Sequence, residues 1–337
     1  KKLTRGLSGF VNAILRSVIR EQDSIGIEDL AANDIEAISF IYNIPLWLIN
    51  LWISEFGRDK TEDLCAWFNE QPKLTARINT ILIDIPQCLT MLNEQGWAVT
   101  QDSNYEDIIY INSHRGSLEK SEAFIKGYIT FMDKASMLVA RLVNPQPGER
   151  ILDFCAAPGG KSMYMATLMD NVGSLMSCDI HEHKIELMNS NADRLGASIV
   201  HTKVQDATKL PDSWNSYFDR VLVDAPCSGL GILQKKLDMR WRKQESILSE
   251  LPSLQLAILE RAAMTVKEKG YLIYSTCTLN YKENEEVVES FLQKHKEFSI
   301  IPVADDFPLK SNSGMITTYP PTDDMDGFFM VKMQRIS

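Results

Sequence analysis

ILDFCAAPGGKS, residues 151–162, joins a short apolar run to a turn of small residues, and a helical pattern begins directly afterwards at Met163. A buried strand, a glycine-containing turn and a helix in this order are typical of a parallel α/β sheet. Small residues let the backbone approach a ligand closely, and the first amides of the following helix are free to donate to it. The stretch therefore predicts an α/β fold with a ligand-binding turn.

Short apolar runs continue to alternate with helical stretches after this turn. They are SLMSC (174–178), ASIVHT (197–202), RVLVD (220–224) and YLIYS (271–275). Two more runs, FSIIPV (298–303) and GFFMVKM (327–333), add two strands that include an antiparallel edge. Together the runs predict a seven-stranded, mostly parallel sheet with helices on both faces. Since ligands bind beyond the carboxyl ends of such strands, the residues after each run are the candidate site.

The turn at 155–161 invites comparison with two known phosphate-binding turns. Gly160-Lys161-Ser162 matches the end of a P-loop, but Cys155 stands where that pattern needs glycine. The glycine spacing also differs from that of a dinucleotide-binding turn. An ordinary β–α turn remains the alternative. The candidate binding residues are Cys155, Ala156, Ala157, Pro158, Gly159, Gly160 and Lys161.

Two aspartates lie at the ends of neighbouring runs. Asp179 directly follows the second run, where an acidic residue can accept hydrogen bonds from ribose hydroxyls. Asp206 follows the third run and is placed to hold an adenine amine. Either aspartate alone is better explained as a helix cap or a turn residue. Both together, after a glycine-containing turn, favour a ligand that contains a nucleoside.

Two cysteines also follow strand-like runs. The fourth run leads into DAPCSG (224–229) and the fifth into STCT (275–278), so Cys227 and Cys277 follow two strands of one sheet. A lone cysteine is usually a small buried hydrophobe. Two at equivalent strand ends, one of them preceded by Asp-Ala-Pro, suggest nucleophilic chemistry in a site that favours the thiolate.

The length of 337 residues predicts two or three domains. Residues 1–24 contain the amphipathic helical pattern FVNAILRSVIR (10–20), and residues 25–130 form a helical linker and a small α+β module. Within that module, residues 74–79 alternate apolar and polar side chains, which predicts a half-buried strand. Residues 131–337 form the α/β domain.

The overall composition excludes several classes of protein. The formal net charge of −10 counts against a protein that coats nucleic acid non-specifically. The most apolar run, residues 44–53, is about half the length of a membrane span. Six cysteines without a C-x-x-C pair fit neither a disulfide scaffold nor a zinc site. We therefore expect a cytoplasmic protein with reduced thiols and no bound metal, and we assume a monomer.

The motifs CAAPGGK (155–161), DAPCSG (224–229) and STCT (275–278) resemble, in order and spacing, those of the NOP2/Sun family of RNA cytosine-5 methyltransferases. Further similarities extend the resemblance over residues 25–337. They are ARINT (76–80), GYITFMDKAS (127–136), KENE (282–285) and DGFFMVKM (326–333). One departure is Met132-Asp133, where the family usually has Gln-Asp.

Within the family, the bacterial branch that acts on small-subunit (16S) rRNA is the most similar. FVNAILRSVIR resembles the final helix of that branch's NusB-like domain, so residues 1–24 are expected to be a remnant of it.

The resemblance implies a Rossmann-like, class I fold that binds S-adenosylmethionine. Residues 155–161 would surround its amino-acid and ribose portions, with Asp179 at the ribose hydroxyls and Asp206 at the adenine. Lys161 would contact either the cofactor or the target base.

The resemblance also implies a covalent mechanism. Cys277 would form a bond to C6 of the target cytosine, Cys227 would help to resolve the adduct, and Asp224 would contact the pocket between cofactor and base. The alternatives are a family member acting on tRNA or another RNA, a DNA or small-molecule methyltransferase of this fold, and a non-catalytic ribosome-assembly factor.

The segment QKKLDMRWRKQ (234–244) holds five basic residues, one acidic residue and Trp241. It follows DAPCSG closely, which places it at the rim of the candidate site. A solvated charged face is the simpler interpretation, but an aromatic ring that can stack on a base favours RNA contact. The candidate RNA-binding residues are Lys235, Lys236, Arg240, Trp241 and Arg242.

Overall fold

The structure is a computed structural model that describes residues 7–21 and 35–337. These residues divide into two compact units, one up to Ala66 and one from Trp67 to Ser337. The predicted boundary at residue 24 lies outside the described residues. The division into 1–24, 25–130 and 131–337 stays a prediction.

The first unit is helical. Its helices are α1 (Ser8–Glu21), α2 (Ile35–Tyr42), α3 (Leu46–Phe56) and most of α4 (Arg58–Asn69). The helix predicted over residues 10–20 is confirmed by α1, whose apolar side chains are exposed, Phe10 at 65% and Ile19 at 67%. Within residues 7–21 and 35–337, no single helix has the length and apolar character to cross a membrane. The helices α2 and α3 meet those criteria only as a pair, and the chain bends by 115° between them.

The second unit begins with a small antiparallel sheet. Its strands are β1 (Thr75–Ile78), β2 (Ala98–Gln101), β3 (Ile108–Ser113) and β4 (Ile129–Phe131), in the order β2-β3-β1-β4. The helices α5 (Ile85–Glu94) and α6 (Glu122–Ile125) accompany it. Their apolar side chains form a separate core that includes Ala76, Leu92, Trp97 and Ile129. This is the small α+β arrangement that the sequence predicts.

A larger sheet carries the candidate site. Its strands are β5 (Arg150–Phe154), β6 (Ser174–Asp179), β7 (Val200–Val204), β8 (Phe218–Asp224), β9 (Val266–Thr276), β10 (Phe298–Ile300), β11 (Met315–Thr317) and β12 (Phe329–Arg335). Seven strands follow the order β10-β12-β9-β8-β5-β6-β7, and the short β11 pairs with β12 as an eighth.

Five strands of this sheet, β5 to β9, are parallel, and β12 is antiparallel to β9. The predicted Rossmann-like, mostly parallel α/β fold is confirmed. β7 begins three residues later than the predicted run, because residues 197–200 form a turn closed by a bond from Val200 N to Ala197 O.

Helices cover both faces of the larger sheet. They are α7 (Lys134–Val143), α8 (Gly160–Leu168), α9 (Glu182–Leu195), α11 (Ile247–Thr265) and α12 (Glu285–Lys294). Two further short helices in this part of the chain are α10 (Met239–Arg242) and α13 (Pro320–Asp323). One apolar core contains Leu138 of α7 and Tyr164 of α8, and another contains Leu259 of α11 and Phe291 of α12. Two cores explain why the strands read as continuous apolar runs, since both of their faces are buried.

β1 differs from its prediction. The alternation at residues 74–79 predicted one exposed face, yet all four residues of β1 are buried. The guanidinium of the fully buried Arg77 donates to Thr167 Oγ1 of α8 at 3.1 Å and lies 5.1 Å from the ring centroid of Tyr164. Burial lowers the pKa of Arg77 to about 10. Arg77 of β1 contacts α8 at Thr167, which lies 90 residues later in the chain. A local sequence pattern does not reveal such a distant contact.

Candidate active site

One cavity of about 460 Å³ lies beyond the carboxyl ends of the parallel strands. Its walls include the predicted site residues Cys155, Ala157, Asp179, Asp206, Asp224, Cys227 and Cys277. The other predicted cofactor residues belong to the same turn and to the start of α8, namely Ala156, Pro158, Gly159, Gly160 and Lys161. The fold thus brings together side chains that are up to 122 residues apart, from Cys155 to Cys277.

The turn between β5 and α8 requires glycine at one position. Gly159 has φ +94° and stands at the N-terminus of α8, and a Cβ there would approach Met188 Cγ to 3.1 Å. The turn is tied to the next strand by a bond from Ala156 N to Cys178 O at 2.8 Å. Backbone amides at the start of α8 are left without helical acceptors. The turn therefore lets the backbone approach a ligand in the cavity.

The two aspartates differ in how their carboxylates are held. Asp179 is 5% exposed, and its oxygens accept from His181 N at 3.1 Å and Lys184 Nζ at 3.3 Å. Asp206 accepts from both the backbone and the hydroxyl of Thr208, and these hydrogen bonds lower its pKa. Asp206 thus forms the turn that the simpler interpretation predicts, and it also borders the cavity.

The two thiols lie in contact. Cys227 Sγ and Cys277 Sγ are 3.2 Å apart, and Cys277 N donates to Cys227 Sγ at 3.3 Å. The S–S bond of a disulfide is only about 2.05 Å long, and all six cysteines of the chain are free. The hydrogen bond to Cys277 and burial raise the pKa of Cys227 well above its usual value. Cys227 is therefore a thiol at neutral pH that can share its proton with the sulfur of Cys277.

An ion pair lies beside the thiols. Lys161 Nζ contacts Asp224 Oδ2 at 2.7 Å, and Ser275 Oγ donates to Asp224 Oδ1 at 2.8 Å. Burial acts to lower the pKa of Lys161, but the charge of Asp224, the hydrogen bond to it and the charge of Asp153 are among the contributions that together outweigh burial, so the pKa is raised. The ammonium also lies 5.3 Å from the ring centroid of Phe328. Lys161 is thus held as a cation beside Asp224, which borders the cavity.

A backbone ladder closes the site on the side of β12. Gly231 N donates to Cys277 O at 3.0 Å, and Gly327 N donates to Gly231 O at 2.8 Å. A Cβ on Gly231 would lie 1.8 Å from Gly327 O, so only glycine permits this approach. The loop after Cys227 and the segment before β12 are therefore joined to Cys277.

The predicted RNA-binding segment divides into buried and exposed parts. Arg240 is only 3% exposed, and its guanidinium donates to Asn69 Oδ1 at 2.7 Å and Phe68 O at 2.6 Å. The predicted RNA contact at Arg240 is therefore wrong, because the side chain is used inside the protein. Lys235 contacts the carboxylates of Asp133 and Asp326.

The other three of the five candidate RNA-binding residues form what we call the exposed rim: Lys236, Trp241 and Arg242. Trp241 is 59% exposed. RNA contacts at the rim and at Lys235 stay predictions.

Two family models match the chain. The model described as "16S rRNA methyltransferase RsmB/F" matches residues 140–334, and "Methyltr_RsmF/B-like, ferredoxin-like domain" matches residues 44–116. The chain belongs to the 16S rRNA methyltransferase RsmB/F family. The predicted family and the prediction of an S-adenosylmethionine-dependent RNA methyltransferase are confirmed, and S-adenosylmethionine is the cofactor of the RsmB/F family.

Individual relatives agree with this assignment. "Probable ribosomal RNA small subunit methyltransferase B" of Bacillus subtilis (strain 168) is 36% identical over 98% of this chain and 74% of its own length. The protein of that name from Synechocystis is also 36% identical, over 98% and 75%. The crystal structure of PH0851 is 32% identical with a TM-score of 0.84, over 89% of this chain and 68% of that one. NSun6 from Pyrococcus horikoshii, 22% identical over 87% and 98%, shares the fold with a TM-score of 0.79.

The cavity fits the cofactor of the RsmB/F family. Its volume of about 460 Å³ lies within the range of small-molecule sites. The carboxylates of Asp179 and Asp206 supply hydrogen-bond acceptors, the glycine turn supplies amide donors, and Ala207 and Ile258 supply apolar walls. Among residues 7–21 and 35–337, no group of three or more His, Cys, Asp or Glu side chains is arranged to hold a metal ion.

Two buried carboxylates of this RsmB/F chain were not predicted as part of the site. Asp153, at the end of β5, accepts from Ser162 Oγ at 2.5 Å, and burial raises its pKa to about 7. Glu283 lies behind the loops that carry the thiols. Both stand in quoted motifs, at positions 153 and 283, but sequence alone does not tell a buried carboxylate from an exposed one.

Proposed function

We propose that this chain transfers a methyl group to C5 of a cytosine in RNA, and that the RNA is small-subunit (16S) rRNA. The observation that carries the proposal is the 3.2 Å contact between Cys227 Sγ and Cys277 Sγ in the wall of the cofactor cavity. Two thiols in contact suit a reaction that makes and then breaks a covalent bond. The names of the curated relatives support the choice of small-subunit rRNA.

Cytosine C5 is a poor nucleophile until a group adds at C6. In the proposed reaction, the Cys277 thiolate forms an S–C6 bond, and the electron pair of the C5–C6 double bond moves toward C5. When bound, S-adenosylmethionine supplies the methyl group as an electrophile on a sulfonium. The turn at 155–161, with Asp179 and Asp206, is proposed to hold the cofactor.

Asp224 and Lys161 are proposed to act on the polar edge of the base. Lys161 keeps the Asp224 carboxylate in place at 2.7 Å, and that carboxylate can accept a hydrogen bond from the exocyclic amine. Such pre-arranged charges stabilise a developing charge without costly rearrangement. This pair therefore favours addition at C6.

Cys227 is proposed to act in the second half of the cycle. The proton on C5 passes to solvent water, the electron pair of the C5–H bond restores the C5–C6 double bond, and Cys277 departs as a thiolate that the neighbouring Cys227 thiol can protonate. The sulfur of Cys227 lies 3.2 Å from the Cys277 sulfur whose bond to C6 would break. Removal of Cys227 should therefore block resolution more than addition.

The test is transfer of labelled methyl groups to unmodified 16S rRNA, with adducts resolved on denaturing gels. We expect the parent to transfer, Cys277→Ala to be inactive without an adduct, and Cys227→Ala to accumulate the adduct. Cys88→Ala serves as the matched control, because Cys88 is a buried packing residue of the small module. Full activity of Cys277→Ala would disprove the assignment, and transfer to tRNA but not to 16S rRNA would overturn the substrate.

A further inference from the structure

Glu283 has a fully buried carboxylate whose oxygens both accept two hydrogen bonds. Oε1 accepts from Ser228 Oγ at 2.5 Å and from Asn280 Nδ2 at 2.9 Å. Oε2 accepts from Ser228 N at 2.8 Å and from Gln255 Nε2 at 2.9 Å. Four donors satisfy a buried charge and leave no need for a ligand. The carboxylate therefore acts within the protein rather than on the substrate.

The donors to Glu283 come from both loops that carry a thiol. Ser228 directly follows Cys227, and Asn280 lies three residues after Cys277. The two loops also touch each other through Ser228 Oγ and Thr278 Oγ1, which are 2.7 Å apart. The carboxylate of Glu283 is thus hydrogen-bonded both to the loop that carries Cys227 and to the loop that carries Cys277.

Helix α11 anchors the same cluster. Gln255 Nε2 donates to Pro226 O at 3.0 Å as well as to Glu283, so it holds the residue just before Cys227. The backbone of Glu283 is itself fixed, because Tyr274 Oη donates to its carbonyl at 2.6 Å. The loop of Cys227 is therefore held from both sides.

We propose that Glu283 is a positioning residue that sets the distance between the sulfurs of Cys227 and Cys277. Its part in catalysis rests on the proposed function, in which the two thiols act in succession. Loss of the carboxylate frees the two loops to separate, and small misplacements of reacting groups are costly. Glu283→Gln is the informative variant, since it keeps the size but turns an amide N–H toward a neighbouring donor.

A change in the distance between the sulfurs of Cys227 and Cys277 can be detected without RNA. The measurement is the rate at which diamide oxidises the two thiols to a disulfide. Each thiol loses a proton and an electron, an S–S bond forms, and diamide is reduced to its hydrazine. Peptide mass mapping counts the loss of two hydrogens in the linked Cys227 and Cys277 peptides. We expect Glu283→Gln to slow this reaction at least about ten-fold. Glu286→Gln, an exposed glutamate on α12, should leave the rate unchanged.

Whether the oxidation rate rises or falls shows whether Glu283 acts through the distance between the sulfurs or through its charge. The pKa of Cys227 is raised by the hydrogen bond to Cys277, by burial and, in part, by the charge of Glu283. Removal of that charge alone would favour the thiolate and make oxidation faster. A slower reaction therefore reports that the sulfurs have moved apart.

A second variant tests the hydrogen bond directly. In Glu283→Gln/Asn280→Asp the amide of residue 283 can donate to a carboxylate at residue 280, which restores the pairing with its polarity reversed. We expect this double variant to recover most of the oxidation rate. If circular dichroism shows that Glu283→Gln does not fold, the oxidation rates of Ser228→Ala and of the double variant are compared with that of the parent instead. Ser228→Ala should be slower than the parent, and the double variant should be close to it.

Methyl transfer provides the functional measurement. We expect kcat of Glu283→Gln to fall at least about ten-fold while KM for S-adenosylmethionine changes less than about two-fold. A folded Glu283→Gln that oxidises at the parent rate would overturn the proposal, as would an equal loss in Glu286→Gln. If the oxidation rates behave as expected but the parent does not methylate cytosine, the positioning role stands and the proposed function fails.

Discussion

Arg240 and Arg242 are two residues apart, yet they occupy opposite environments. Arg242 and Trp241 lie on the exposed rim, whereas Arg240 donates to Asn69 and Phe68 inside the protein. Trp241→Ala should weaken RNA binding by about 1–3 kcal/mol through lost base stacking, measured by fluorescence anisotropy.

The two arginines supply the matched comparison for that measurement. Arg242→Ala should lower RNA affinity without changing urea unfolding. Arg240→Ala should instead lower the free energy of unfolding by about 1–3 kcal/mol, because it leaves buried acceptors unpaired. Weaker RNA binding by Arg240→Ala with unchanged stability would contradict this assignment.

The buried carboxyl group of Asp153 makes stability depend on pH. Burial raises its pKa from 3.8 to about 7, so between these values the folded protein keeps a proton that the unfolded chain has lost. Stability therefore falls as pH rises through this range and is level above it.

Asp153→Asn should remove that pH dependence. The free energy of unfolding of the variant minus that of the parent should therefore be a few kcal/mol larger at pH 8 than at pH 4. Urea unfolding of both proteins at the two pH values measures the difference. The exposed Asp170→Asn should follow the parent at both pH values, and a pH-independent gap between Asp153→Asn and the parent would refute the assignment.

At the scale of secondary-structure elements, β8 is tied to the segment before β5 and to the end of α7. Arg220 on β8 donates to Glu149 through Nε at 2.6 Å and Nη2 at 3.0 Å, and its Nη1 donates to Val143 O at 2.8 Å. Glu149→Gln should lower the free energy of unfolding by about 2 kcal/mol, since it removes a charged acceptor from a buried guanidinium. Glu260→Gln, which breaks an exposed pair with Lys294, should cost less than about 1 kcal/mol. Equal losses in urea unfolding would contradict the argument.

The pairing of β8 with β9 explains how the site could be predicted. Asp224 is aligned with Ser275 in the parallel ladder, and Cys227 and Cys277 follow these residues by three and two positions. Apolar runs in the sequence predicted both β8 and β9. It could therefore be predicted that the two cysteines lie at the same edge of the sheet, where the carboxyl ends of the parallel strands are. Their 3.2 Å separation was not, because it depends on the buried contacts of Glu283, which involve residues up to 55 positions apart. The burial of Arg77 and Arg240 was not predicted either, because it also depends on contacts with residues far away in the sequence.

At the scale of the whole molecule, cofactor binding should raise the melting temperature. A ligand at 100 times its Kd adds about 2.7 kcal/mol to the stability of the state that binds it. S-adenosylmethionine should therefore shift the melting of the parent by several degrees in differential scanning fluorimetry. Asp179→Asn should reduce the shift, because Asp179 borders the cavity.

Asp193→Asn supplies the control for this experiment, since Asp193 is exposed on α9. Its shift should match that of the parent. If the melting temperature of Asp179→Asn rises as much as that of the parent on addition of S-adenosylmethionine, Asp179 does not contribute to cofactor binding.

The position of β12 has a consequence for the order in which the chain is made. β12 lies between β9 and β10 although it is the last of these three strands along the chain, and Gly327 just before it is linked through Gly231 to Cys277. During translation, Cys277 leaves the ribosome well before β12 does. We expect the nascent chain to carry both cysteines for some time without a closed site, so each new molecule can begin to modify RNA only after β12 has been synthesised and inserted.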